Sequence, residues 1–206
     1  MFLHLPPASE SVTTLYERDS AEDGYVTNHT KLWAWRPDLK EAFTEFRKQL
    51  ATQSTLSDRE RAVLVCATAS SIGDAYCALA WGTELAQQAD PGTAAEVLQM
   101  AEAHGLTPRE RALMQWARQI VRDPNGTTAG DVESMRKTGL SETEIFDATV
   151  LIAFRLAFST VNDSLGARPD SQLADAAPAE GIHLRRQQAD QRQSPTERLV
   201  VQRVLE

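Results

Sequence analysis

The sequence predicts an all-α bundle of about seven or eight helices joined by short loops. Three observations carry that reading. Four segments open with Ser or Thr followed three residues later by Glu and then an apolar run; apolar residues elsewhere recur at spacings of three and four; and no segment alternates like a strand over six or more residues.

Taken in order, residues 1–23 form an N-terminal extension. Its opening, MFLHLPPASESV, has no basic n-region and breaks at Pro6-Pro7, so it does not read as a secretory signal. Pro37 then opens a helix whose Leu39, Phe43, Phe46 and Leu50 share one face, with Lys40, Glu41, Glu45 and Lys48 elsewhere around it. Ser57 and Glu60 form the first capping box. The run AVLVCATAS at 62–70 behind it is apolar nearly all round, which predicts a helix surrounded by others.

A further helix is expected over 75–89, stopped by Asp90-Pro91-Gly92, and another over 93–103, stopped by His104-Gly105. The second box, Thr107 with Glu110, gains from Pro108, because proline at the first helical position gives up a donor that is unpaired anyway. A short helix over 131–137 ends at Gly139. The third box, Ser141 with Glu144, leads into ATVLIAFRLAF at 148–158, again apolar nearly all round and expected at the centre. SDRERAVL at 57–64 and TPRERALM at 107–114 match at most positions, a pattern that either duplication or shared helix-start chemistry produces. Beyond a body spanning 24–170, residues 171–206 read as a polar tail. It ends in a fourth box, Ser194 with Glu197, and a short helix that would dock on the body or on a neighbouring subunit.

Composition narrows the partners. With 42% hydrophobic positions in 206 residues the chain can bury one core, and 21 basic against 29 acidic residues give a formal charge of -8 that disfavours nucleic acid and anionic membranes. No run reaches the length of a membrane span. Two cysteines imply no disulfide framework, so a cytoplasmic protein is the expectation. The four histidines lie far apart, and neither a metal site nor a cofactor is expected. Helices this apolar also point to a homo-oligomer that takes a small-molecule substrate.

The stretch SSIGDAYCALAWG concentrates the chemistry. Asp74 follows a turn and stands where an N-cap would, which makes Cys77 the third residue of the next helix. The helix dipole there favours thiolate, whereas the Asp74 carboxylate disfavours it. Bland roles are available as well. Cys77 can fill core space beside Tyr76 and Ala80, Trp81 can be packing, and Arg155 can form a structural pair, with Glu60 as the candidate acid. His29 in TNHT reads as a loop or first-turn residue.

Three segments, GYVTNHTKLWAWRPDL, SDRERAVLVCATASSIGDAYCALAWG and GLSETEIFDATVLIAFRLAFSTVNDSLGARPD, resemble the alkylhydroperoxidase D-like and carboxymuconolactone decarboxylase superfamily, within its peroxidase-related branch. The resemblance covers roughly 24–170 and implies an all-helical, oligomeric fold. In redox-active members a Cys-x-x-Cys-x-x-x-His box opens a helix and works with an upstream glutamate. Laid on this chain, the second cysteine falls on Cys77, the aromatic before it on Tyr76 and the leading Arg-Glu on Arg59-Glu60. The first cysteine falls on Asp74, the histidine on Trp81 and the relay glutamate on Ala62. The box is degenerate, and any oxidised Cys77 needs an outside thiol.

Three functions follow as expectations. The first is a peroxidase-related oxidoreductase working through Cys77. The second is a lyase, decarboxylase or isomerase with Asp74 as general acid or base. The third is a non-catalytic small-molecule binder. Cys77 and Asp74 are the catalytic candidates in the first two. Tyr76, Trp81 and Arg155 are the candidate substrate-binding residues, joined by His29 because the resemblance includes it.

Overall fold

A computed structural model describes residues 1–176. The expected box at Ser194 and the helix behind it lie outside the described residues. Ten α-helices follow one another, eight of them seven residues or longer, and there is no strand among the described residues. They are α1 (Glu10–Asp23), α2 (Asn28–Trp33), α3 (Pro37–Gln53), α4 (Asp58–Ile72), α5 (Ala75–Gln88), α6 (Pro91–Leu98), α7 (Pro108–Arg122), α8 (Ala129–Lys137), α9 (Glu142–Ser164) and α10 (Ser171–Ala176). The expectation of an all-α bundle holds.

The capping chemistry works as its residue types require. Ser57, Thr107 and Ser141 each accept from the backbone N–H three residues on, while Glu60, Glu110 and Glu144 reach back to the cap N–H. Thr128 and Asp131 form a fourth box, which the sequence reading passed over because the acid is Asp.

The echoed Arg-Glu pairs explain how α4 and α7 lock together. Arg59 Nε donates to Glu110 Oε1 at 2.6 Å, and Arg109 Nε donates to Glu60 Oε1 in return. Arg109 also holds Glu144 on α9 and the Gly139 carbonyl, at 2.8 Å. Each capping glutamate therefore serves its own helix and an arginine of the neighbouring one, and the matching octapeptides face each other reciprocally.

α4 is the centre. Its residues from Ala62 to Ser70 are all buried, and α5, α6, α7 and α9 surround it. α9 departs from expectation. One face buries Ala148, Leu151, Ile152, Arg155, Phe158, Ser159 and Asn162, but Phe146, Phe154 and Val161 on the other face lie exposed. It therefore lies along the body rather than within it.

The N-terminal residues fold back on this end of the bundle. Phe2 N–H donates to the Leu165 carbonyl at 2.8 Å, and the indole of Trp35 donates to the His4 carbonyl at 3.0 Å. Val12 and Leu15 of α1 bury themselves against Ala34. Among the described residues no helix is long and apolar enough to cross a membrane.

Candidate functional site

The site begins at a break in the chain. Gly73 ends α4 at φ +73°, a conformation that glycine adopts without penalty, and the Asp74 N–H returns to the Ala69 carbonyl at 2.9 Å. This turn sets Asp74 as the N-cap of α5, with its Oδ1 accepting from the Cys77 N–H at 3.0 Å. Asp74 is 1% exposed, and its Oδ2 accepts a short hydrogen bond from the Ser159 hydroxyl. Ser159 Oγ also lies 3.8 Å from Cys77 Sγ.

Arg155 supplies the next element. The structural pair with Glu60 expected from sequence does not form, because Arg109 occupies Glu60. Arg155 instead directs Nη1 to Cys77 Sγ at 3.3 Å. Its guanidinium lies 5.4 Å from the centre of the Trp81 ring and 5.6 Å from that of Phe158. Quadrupole attraction from two aromatic faces and the polarisable sulfur thus take the place of a carboxylate. The Arg155 Nε has no hydrogen-bond partner among the described residues, although the side chain is buried.

These neighbours decide the state of the thiol. Burial pushes Cys77 up to about 12, Arg155 pulls it down, and the Asp74 carboxylate pushes it up again. The competition between helix dipole and carboxylate is therefore overridden by desolvation, and the resting group is a thiol. Cys66 is fully buried in α4 and is pushed further up by the same cause.

A second cluster adjoins the first through Phe158. The His29 ring sits 5.6 Å from Phe158 and 5.2 Å from Tyr76. Burial, followed by the fields of Lys40, Arg47 and Arg155, holds His29 well below the usual imidazole range, so it is neutral. Its Nδ1 lies within 3.2 Å of the Thr27 and Thr30 hydroxyls. The Tyr76 hydroxyl donates to Asp170, whose other oxygen accepts from the Asn28 N–H at 2.9 Å.

Asp74, Cys77, Trp81 and Arg155 thus meet directly or through Ser159, and Tyr76 and His29 join them across Phe158. Sequence reasoning missed Ser159, Lys40 and Arg47. Ser159 had a signal: Arg155, Ser159 and Asn162 recur at four and three residues, a polar stripe on an otherwise apolar helix. Lys40 and Arg47 looked like ordinary surface charge. In the fold, Lys40 Nζ lies 5.5 Å from the Phe158 ring, and burial and Arg47 lower it to about 8.

A narrow crevice of about 10 Å³, room for roughly one water, lies between α3 and α9 beside Arg155. Phe43, Phe46, Arg47 and Leu50 line one side of it, and Leu151, Phe154 and Arg155 the other. Chemically the site offers a protonated thiol, a buried carboxylate one hydrogen bond away, a cation against the sulfur, and a mostly apolar approach.

The carboxymuconolactone decarboxylase family profile matches residues 37–119, from the start of α3 through the Asp74–Cys77 turn to α7. Over these residues the chain is similar to the carboxymuconolactone decarboxylase family. Solved structures share the fold. An uncharacterized peroxidase-related protein with an alkylhydroperoxidase AhpD core, from Ralstonia eutropha JMP134, superposes with a TM-score of 0.74 at 23% identity, covering 84% of this chain and 93% of that one. An uncharacterized peroxidase-related protein from Silicibacter sp. TM1040 gives the same TM-score, identity and coverage. A variant of the debrominase Bmp8 in complex with 2,3,4-tribromopyrrole superposes with a TM-score of 0.68 at 14% identity, covering 85% of this chain and 96% of that one. Among curated proteins, none gives a significant match.

Proposed function

We propose that the protein is a peroxidase-related, single-cysteine oxidoreductase that reduces an organic hydroperoxide at Cys77. The observation that carries this reading is Arg155, a buried cation whose Nη1 faces Cys77 Sγ with no carboxylate paired to it among the described residues. A cation in that position stabilises the negative charge that develops on sulfur and oxygen as the thiol reacts.

In the proposed reaction the sulfur attacks the distal oxygen of ROOH and the O–O bond breaks. The thiol proton passes through Asp74 to the departing alkoxide, giving ROH and Cys77 sulfenic acid. A low-molecular-weight thiol then condenses with the sulfenic acid, releasing water, and a second thiol frees Cys77 as a disulfide of the two leaves. Asp74 stands in the position of the family's first cysteine and supplies a proton acceptor in place of that thiol. Tyr76, Trp81, Arg155 and His29 are proposed to shape the pocket around the substrate.

The exposed apolar residues of α9 support assembly with a second copy. Phe146→Glu should then lower the mass measured by light scattering, and an unchanged mass would contradict that assembly.

The activity is tested by following hydroperoxide consumption with dithiothreitol as the external thiol. Turnover should disappear in Cys77→Ser and fall in Asp74→Asn. Hydroperoxide turnover that survives Cys77→Ser would overturn this reading.

A further inference from the structure

The thiol that reacts in the proposed mechanism is sealed. Cys77 is 2% exposed, Asp74 and Arg155 are buried beside it, and the crevice between α3 and α9 has room for about one water. An organic hydroperoxide is several times larger, so it reaches the sulfur only if a covering element moves. α3 is weakly held. α4, α5 and α9 bury ten, seven and nine residues, whereas α3 buries none of its seventeen. Its apolar face rests on α9 through ring stacks, Phe43 on Phe158 at 5.0 Å and Phe46 on Phe154 at 3.9 Å, and Phe154 is itself exposed. Charge works against the same contact. Arg155 of α9 repels both Lys40 and Arg47 of α3, whereas Asp19, Glu22 and Asp23, the acids whose fields favour these two cations, stand on α1. Both ends of α3 are tied to the body: Trp33, four residues before it, donates to Asn162 at 2.8 Å, and Leu56, three residues after it, is buried. The middle of α3 is therefore free to leave α9 while the bundle behind it stays folded.

We propose that α3 is a lid over Cys77, latched by the Phe46–Phe154 stack, and that substrate enters when this latch opens while α4, α5, α7 and α9 stay folded. The purpose given to the opening rests on the reading of Cys77 as the reacting group; the opening itself is a property of the fold. Local opening exposes little surface and responds weakly to urea. Cys66, fully buried in α4 among α5, α6, α7 and α9, becomes accessible only when the bundle unfolds. The chain thus carries its own reference thiol.

The test uses the full chain at fixed pH, without peroxide, and follows iodoacetamide alkylation of each cysteine by peptide mass over urea concentrations below the unfolding transition. Cys77 is expected to react faster than Cys66, with about half or less of its urea dependence. Phe46→Ala should speed Cys77 by about tenfold without urea, through loss of the stack and its buried area, and Phe46→Tyr, which keeps the stack, should match the wild type. Arg59→Met loosens α4 from α7, contacts that survive lid opening, so it should speed Cys66 and leave Cys77 unchanged. Equal urea dependence for the two thiols, a Cys77 rate unmoved by Phe46→Ala, or a Cys77 rate that rises with that of Cys66 in Arg59→Met would each overturn the inference. The two claims separate cleanly. Peroxide-reactive Cys77 with the urea dependence of Cys66 removes the lid alone, whereas a shallow, Phe46-dependent Cys77 that stays inert to hydroperoxide upholds the lid and removes the peroxidase reading.

Discussion

Arg155 Nη1 lies 3.3 Å from Cys77 Sγ, and among the described residues no carboxylate closes the pair from the other side. An arginine buried in a helical core ordinarily finds an acid, because an uncompensated charge in a poorly polarisable interior is costly. Here the compensation is two aromatic faces and a thiol, an arrangement that gains strength when the thiol ionises.

The first prediction concerns that thiol. With Cys77 held up at about 12, alkylation by iodoacetamide in a Cys66→Ala background should keep rising with pH, about tenfold per unit, through pH 10. Arg155→Met removes the cation that pulls the thiol down most, so its rate at any fixed pH should be lower still. A wild-type rate that levels off by pH 8 would contradict the assignment.

Asp74 carries two roles that substitution separates. Asn can still cap a helix, so Asp74→Asn should keep stability within about 1 kcal/mol of wild type while hydroperoxide turnover falls by about tenfold or more. Asp74→Ala loses the cap as well and leaves the buried Ser159 hydroxyl without its acceptor, at about 2 kcal/mol. Urea denaturation beside the peroxidase assay distinguishes these outcomes.

The reciprocal arginines make a purely structural prediction. Arg109 serves Glu60, Glu144 and the Gly139 carbonyl, whereas Arg59 serves Glu110 and the Gln88 and Gly105 carbonyls. Arg109→Met strands two nearly buried carboxylates and should cost about 3 kcal/mol, more than Arg59→Met, which strands one. Equal denaturation midpoints for the two variants would show that the second carboxylate contributes nothing.

Acid sensitivity follows from His29. Its folded-state value lies well below 6.5, so the folded chain keeps it neutral while the unfolded chain takes up a proton as the pH falls through 6.5. Stability present above that pH should decline below it, by up to about 1.4 kcal/mol per unit from this one group. Compared with wild type, His29→Gln should show a flatter loss of melting temperature between pH 6.5 and 5. Parallel curves over that range would contradict the assignment to His29, since Glu144, which Arg109 holds down at about 2, loses its contribution only below about pH 4.5.

How far the sequence could be read depended on how local each signal was. The boxes at Ser57, Thr107 and Ser141 are three-residue relationships, and each formed as its chemistry requires. The Asp74 cap was legible for the same reason. The helix α1 was not, because only Val12 and Leu15 of its fourteen residues are buried, too few to mark a period. α6 ends at Leu98, earlier than the expected 103, since Met100 turns to φ +58° well before the His104-Gly105 stop. The partner of Arg155 was beyond reach. Choosing between Glu60 and Cys77 depends on which face α9 turns towards α5, and only packing decides that. Lys40 and Arg47 were hidden by the same limitation, since on α3 alone they are indistinguishable from solvated charge.

The central claim is that Cys77 reacts with hydroperoxide. It is tested most directly by intact mass after brief exposure to an organic hydroperoxide in the presence of a sulfenic-acid trap, wild type beside Cys77→Ser. The account predicts one rapid trap adduct in the wild type and none in the variant. A wild-type mass that stays unmodified, or an adduct that persists in Cys77→Ser, would contradict it.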